Sequence, residues 1–254
     1  MKLTGRTILI TGGSAGIGLA FALKFLELGN TVIVTGRRQM VLNEVKAKYP
    51  KLYTIQGDVA DFAQIASLAA RVKAEFPKLD VLMNNAGIFV YKNLKAPATD
   101  LAGLMAEMNV NVGGVIGMTS AFIDTLTANN GTVINVSSGL AFVPLPPAPI
   151  YSATKAAIHS YTQSLRFQLE ETGVEVIEIM PPAVKTDMTT ELVEGGATVI
   201  TTDELVKQSF TSLKAGKLEV RPGQSNQLAF LRRLAPDFIN KQLWKASKKL
   251  VPSV

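Results

Sequence analysis

The 254-residue chain contains no cysteine, so it can form no disulfide, no thiolate metal site and no thiol nucleophile. It has one histidine, His159, without the neighbouring ligands that a metal centre needs, so no metal site is expected and a structural role is assigned to that residue. Charge is sparse: 18% of residues are charged against 47% hydrophobic, a balance that excludes a disordered chain and allows a sizeable core in one large α/β domain or two small ones. No uninterrupted apolar run approaches the ~20 residues of a membrane span. The opening residues, Met1-Lys2-Leu3-Thr4-Gly5-Arg6, lead directly into a strand pattern without a signal-peptide core. A cytoplasmic location is expected.

The net charge of +6 is concentrated near one end, where residues 232–254 carry Arg232, Arg233, Lys241, Lys245, Lys248 and Lys249 against Asp237 alone. A nucleic-acid-binding body needs its basic excess spread over a face or groove, so no nucleic-acid partner is expected. From Pro236 onward Ile239, Leu243, Ala246 and Leu250 recur at helical spacing with lysines opposite. This amphipathic basic helix, 236–254, is expected to dock on the body or on a second subunit, with peripheral contact to anionic lipid as the alternative.

The informative stretches alternate between strand and helix. Residues 7–10 are apolar and β-branched, Thr11-Gly-Gly-Ser-Ala-Gly-Ile-Gly18 follows, and a helical period runs on to Gly29. A strand, a glycine turn and a helix form the arrangement that brings backbone close to a pyrophosphate at a helix N-terminus. Further strands are expected at 31–35, 52–56, from Val81, at 131–137, 174–180 and 217–220, with helices between them, which makes a parallel α/β sheet of about seven strands in a single domain, 1–254. Gly36-Arg37-Arg38 ends the second strand, where arginine suits a 2′-phosphate, so NADP is favoured over NAD; a solvated charge pair is the alternative. Asp58 either bonds an adenine amine or caps the helix that begins near Asp61. The fourth strand opens into Asn84-Asn85-Ala86-Gly87, and a long helix over about 100–127 carries Asn109 and Asn111.

Ser138 ends the fifth strand, and 140–150 carries four prolines that exclude regular helix and stiffen the approach to Tyr151. Tyr151 and Lys155 stand four residues apart on one helical face, where a fixed cation is expected to pull the phenol toward a useful acid range. Phe89, Val90, Tyr91, Phe142, Val143 and Leu145 either line a substrate pocket or belong to core or interface. Residues 187–202 have the composition of a flap over a site.

Taken in order, Thr-Gly-x-x-x-Gly-x-Gly, Asn-Asn-Ala-Gly, Ser138 and Tyr-x-x-x-Lys resemble the short-chain dehydrogenase/reductase family over residues 7–186. The resemblance implies a Rossmann-type doubly wound sheet with helices on both faces, and hydride transfer between nicotinamide and a small-molecule carbonyl or alcohol. It implies Asn111, Ser138, Tyr151 and Lys155 as the catalytic set, with Asn109 the rival register for Asn111. It places Gly12, Ser14, Gly16, Ile17 and Gly18 at the diphosphate, Arg37 and Arg38 at the 2′-phosphate, and Asp58 and Val59 at adenine. Asn85, Ala86 and Gly87 fall near the central ribose, and Pro181, Val184 and Thr186 complete the cofactor set with Tyr151 and Lys155. A homodimer or homotetramer built on two long helices is also implied. One departure is Pro182 where the family usually has glycine; Pro-Pro-Ala-Val resembles the subgroup associated with teichoic-acid D-alanylation operons. Pro182 and the basic tail motivate an alternative, a catalytically weak dinucleotide-binding regulatory or sensor protein.

Overall fold

A computed structural model describes residues 1–95, 100–194 and 196–252. Along the chain come β1 (Thr7–Thr11), α1 (Gly16–Glu27), β2 (Thr31–Gly36), α2 (Gln39–Lys48), β3 (Tyr53–Gln56), α3 (Phe62–Glu75) and β4 (Val81–Asn84). Then follow α4 (Leu101–Met108), a π-helical turn (Asn109–Gly113), α5 (Gly114–Ala128), β5 (Thr132–Val136), α6 (Pro149–Gln168) and β6 (Glu175–Ile179). The chain ends through α7 (Thr190–Glu194), α8 (Thr202–Lys214), β7 (Glu219–Val220), α9 (Ser225–Leu234) and α10 (Pro236–Ser247).

The seven strands form one parallel sheet in the order β3-β2-β1-β4-β5-β6-β7. Side chains alternate across it: Ile8 and Ile10 join Phe21, Phe25 and Phe210 on one face, while Leu9 joins Leu68, Met118, Phe122 and Leu165 on the other. Both faces are therefore covered, as a parallel sheet requires. Because β1 pairs with both β2 and β4, the order reverses at β1, and a crevice opens beyond the C-terminal ends of β1 and β4 where ligands bind in such sheets.

Several local expectations need correction. Pro149 and Ile150 belong to α6, because proline at the first helical position loses no intrahelical bond. The long helix is interrupted by the π-helical turn, yet Leu101–Ala128 is 28 residues of helical structure apolar enough by length and composition to cross a membrane. Here Met118, Phe122 and Leu126 bury one side of it against the sheet. Helix α9 had no sequence-based expectation, and residues 187–202 carry a 3-10 turn (Asp187–Thr189), α7 and a bridge from Val184 to Ile200. Gly195 of that expected flap and residues 253–254 of the expected tail lie outside the described residues. Of the expected tail face, Ile239, Leu243 and Leu250 are half-buried and Ala246 is exposed.

Candidate active site

The glycine turn is held by side chains from β1 and the loop after β4. Asn85 donates from Nδ2 to the carbonyls of Thr11 (3.0 Å) and Gly12 (3.2 Å), and the amides of Asn85 and Ala86 both donate to Thr11 Oγ1 at 3.0 Å. The approach is close enough that a Cβ on Gly12 would lie 2.9 Å from Ala86 Cα, and one on Gly18 would lie 2.5 Å from Asn85 Nδ2. Gly12 (φ 64°) and Gly16 (φ 51°) also occupy the left-handed region. Helix α1 begins after Ala15 with no side-chain cap and no acidic residue in its first turn. Its N-terminus therefore suits an anionic group, which is the fit a dinucleotide diphosphate requires. Ser14 lies over Gly36, Ile17 is packed partly into the core, and Thr186 Cγ2 stands 3.4 Å from where a Gly16 Cβ would be.

On the adenosine side Arg37 and Arg38 are exposed at the end of β2, and neither forms an ion pair among the described residues. Asp58 is not the helix cap: Asp61 caps α3 by accepting from the amides of Ala63 and Gln64, while Asp58 Oδ1 accepts from Ala60 N at 2.9 Å. The side chain of Val59 is buried against Gly114, which leaves to its main chain any contact with a base.

The π-helical turn gives the two asparagines different surroundings. Asn109 is exposed, whereas Asn111 is 1% exposed. Asn111 Nδ2 donates to Ile88 O (2.9 Å) and Thr154 Oγ1 (3.1 Å), and Oδ1 accepts from Ile88 N (2.8 Å), so this side chain ties the loop after β4 to α6. Gly87 fits beside it; a Cβ there would be 3.2 Å from Asn111 Oδ1.

Ser138, Tyr151 and Lys155 come together at the end of β5. Ser138 is buried and its Oγ accepts from Leu140 N at 3.1 Å, while Gly139 N donates to Pro181 O at 2.9 Å and fixes the loop after β6. Lys155 is buried, donates from Nζ to Val136 O at 3.0 Å, and stands 5.4 Å from the centre of the Tyr151 ring. Desolvation pulls Lys155 down to about 8, against an opposing pull from Glu178. The phenol moves opposite to expectation: desolvation first, then the Glu107 carboxylate, push Tyr151 well above its ordinary value, and a hydrogen bond with Ser138 pulls it back in part. Burial of the ring is the main reason, and the lysine does not reverse it because its ammonium bonds a main-chain carbonyl and lies near the ring rather than on the phenol oxygen.

Of the six apolar residues proposed for a pocket, Phe89 stacks edge-on to Tyr151 at 4.8 Å and to Tyr91 at 4.9 Å. Val143 and Leu145 belong to the core, Phe142 packs on His159, and Val90 donates its amide to Glu107 Oε1. A cavity of about 850 Å³ lies elsewhere, between α1 and α8, and reaches the site only at Gly16 and Thr186. Two acidic residues had no place in the sequence-based reading. Glu107 (2% exposed) neighbours Tyr151, and Glu178 (0% exposed) binds His159. The signal for Glu107 was a lone carboxylate in an otherwise apolar helix pattern, and for Glu178 a carboxylate between two isoleucines of a strand.

Comparison with known proteins agrees with this geometry. Residues 6–196 match the family described as short chain dehydrogenase. The chain is 42% identical over 224 residues, 87% of its length and 89% of the relative's, to the uncharacterized oxidoreductase DltE of Bacillus subtilis (strain 168). It is 34% identical over 179 residues, 70% of the chain and 72% of the relative, to the NADP-dependent 3-hydroxy acid dehydrogenase YdfG of Escherichia coli O6:H1. A short chain dehydrogenase from Burkholderia cenocepacia J2315, solved in complex with NADP, superposes with a TM-score of 0.84 at 29% identity, covering 96% of this chain and 99% of that one. With the sheet order, the clamped glycine turn and the Ser138, Tyr151 and Lys155 cluster all present, the chain belongs to the short-chain dehydrogenase/reductase family of oxidoreductases.

Proposed function

We propose that the protein is an NADP(H)-dependent oxidoreductase that transfers hydride between nicotinamide and a carbonyl or secondary alcohol, with Tyr151 as acid/base. The observation that carries this reading is the seat of Tyr151: its phenol is buried near the Ser138 hydroxyl, its ring lies 5.4 Å from the Lys155 ammonium, and both flank the C-terminal end of β5. The raised phenol keeps its proton across the neutral range, which is the form a general acid needs. Ser138 would donate a hydrogen bond to the substrate oxygen as negative charge develops there. Arg37 and Arg38 would hold the 2′-phosphate, the glycine turn and α1 N-terminus the diphosphate, and Lys155 the nicotinamide-ribose hydroxyls. When bound, the cofactor supplies the hydride.

The Asn111 side chain spends both Nδ2 bonds on Ile88 and Thr154, so a water linking Lys155 to solvent would lean on its main-chain carbonyl. Phe89 beside Tyr151 supports an apolar substrate. Exposed Phe62 and Ile116, with Gly117 close against the Phe62 ring, and Phe167 on α6 support a homodimer or homotetramer through these helices. NADPH consumption is the test, measured against aldehydes, ketones, quinones and steroids with NADH in parallel. Turnover lost in Tyr151→Phe supports the reading. Tight NADPH binding with no turnover on the whole panel favours the dinucleotide-binding regulatory protein instead.

A further inference from the structure

Behind Lys155 lies a buried polar chain that the hydride-transfer reading does not use. Glu178 lies in β6 between Ile177 and Ile179, one residue from its end, and is 0% exposed. An ionised carboxylate at such a place is costly unless its oxygens are bonded, and both are. Ser137 Oγ donates to Oε1, and His159 Nδ1 lies 2.8 Å from Oε2. Ser137 follows Val136, whose carbonyl receives the Lys155 ammonium, so the acceptor of the lysine and the donor to the glutamate are consecutive residues at the end of β5. Lys155 and His159 are themselves four residues apart on α6, one turn along the same face. Among the described residues Lys155 forms no direct ion pair with a carboxylate, and the negative charge that acts on it is that of Glu178.

We propose that Glu178, clamped by Ser137 and His159, is a positioning residue that holds Lys155 as a charged ammonium in its buried seat, and that Lys155 and His159 are coupled through it. A buried cation beside the reacting phenol loses its proton readily; a fixed anion held near it opposes that loss. His159 serves the anion in turn. Its neutral Nδ1–H donates to the carboxylate while Gln163 Nε2, 3.3 Å from His159 Nε2, faces the other nitrogen.

Other charges around the imidazole come from the β7 side. Glu219 reinforces proton binding at His159, Arg221 opposes it, and Arg221 is paired to Glu219 while lying 5.1 Å from the centre of the Phe142 ring that covers His159. Arg166 of α6 stands 3.8 Å from Glu219. Glu219 and Arg221 therefore act in opposite directions, and Glu178 is the partner in direct contact. Consistently, the bond to Glu178 raises His159 above its ordinary value, while burial lowers it.

The role given to Lys155 rests on the oxidoreductase reading, but the coupling does not, and the two are tested apart. As the only histidine, His159 gives a single Cε1–H signal in a proton NMR titration of the full chain. Glu178→Gln is expected to lower its midpoint by about one unit or more, since the largest raising contact is lost. Lys155→Met is expected to move the same midpoint upward, because the carboxylate is then left with His159 alone to neutralise it. A lysine packed there only for shape would leave the titration where it was, so an unmoved midpoint in Lys155→Met overturns the coupling. If Glu178→Gln does not fold, Lys155→Met decides the matter by itself.

Turnover supplies the second readout. In Glu178→Gln the alkaline limb of kcat/KM for carbonyl reduction is expected about one unit lower, with Glu178→Asp returning it toward wild type. A uniform loss of kcat with the limb in place would show a merely structural carboxylate and overturn the positioning role. Undiminished turnover in Tyr151→Phe would sink the oxidoreductase reading while leaving the NMR result valid.

Discussion

The ammonium nitrogen of Lys155 stands 5.4 Å from the centre of the Tyr151 ring and bonds the Val136 carbonyl, so the two side chains share a helical face without a direct bond between their polar ends. A direct bond would fix the proton between them. The observed arrangement instead keeps the phenol protonated through desolvation and the nearby Glu107 charge, and leaves the lysine partly titratable above neutrality. Acid and cation are thereby set at different points on the pH scale from one turn of helix.

Replacing Tyr151 by phenylalanine removes the proton donor and keeps the ring that stacks on Phe89. A general acid typically contributes ~10²–10⁴-fold to rate, so kcat for carbonyl reduction should fall by that order while NADPH affinity changes little. Steady-state kinetics beside a fluorescence titration of NADPH separates the two quantities. A fall in affinity with kcat intact would assign Tyr151 to binding.

Burial of Lys155 has a consequence for stability whose sign follows from its depressed value. Between about 8 in the fold and 10.5 in the unfolded chain, the unfolded state binds more protons. Stability contributed at this site therefore rises with pH across that window: the cost of the buried charge is complete below 8 and relieved by 10.5. Lys155→Met lacks the cost, so the variant should be more stable than wild type at neutral pH, by at most about 3 kcal/mol before the lost Val136 hydrogen bond is subtracted. Urea unfolding at pH 7.5 and pH 10 checks the trend. The variant's advantage should shrink as pH rises, and an advantage that grows would contradict the sign.

Cofactor choice is expected to rest on Arg37 and Arg38, which are exposed and free of ion pairs among the described residues. Charge-assisted bonds to a phosphate contribute roughly 1.5–3 kcal/mol each before solvent screening. Arg37→Ala and Arg38→Ala should each weaken NADPH by roughly tenfold, with little change for NADH. Paired Kd measurements for both nucleotides decide it, because equal losses for the two would point to a general effect on the loop.

Most of the sheet was legible because its signals are local. Ile8, Leu9 and Ile10 end in a glycine turn, and a helix was expected to begin near Asp61, although its cap proved to be Asp61 and not Asp58. That Tyr151 and Lys155 share a helical face was legible for a related reason: a spacing of four residues puts them there whatever the rest of the fold does. What stayed hidden depends on contacts between distant segments. The π-helical turn at Asn109–Gly113 has no short-range mark, and only the bonds from Asn111 to Ile88 and Thr154 show which asparagine turns inward. The direction of the Tyr151 shift was misjudged because burial of the phenol, and after it the Glu107 charge on another helix, outweigh the lysine, and a pairwise reading of 151 and 155 could include neither. Glu178 and His159 likewise meet only when β6 is laid beside α6.

The glycine turn offers a steric test that needs no substrate. A methyl group on Gly18 would sit 2.5 Å from both Asn85 Nδ2 and the Gly12 carbonyl, inside the contact that clamps the turn. Relief requires Asn85 to give up its bonds to Thr11 and Gly12, so the clamp and the helix start move together. Gly57→Ala is the control, since its added methyl would meet only Leu68 Cδ2, at an ordinary 3.5 Å. Overpacking of this kind costs about 1–3 kcal/mol, and Gly18→Ala should lower the unfolding free energy by that amount and weaken NADPH binding along with it. Thermal unfolding with and without NADPH measures both effects: the wild type and Gly57→Ala should gain stability from the nucleotide, and Gly18→Ala should gain markedly less. Equal gains in all three proteins would mean that the clamped turn does not hold the cofactor.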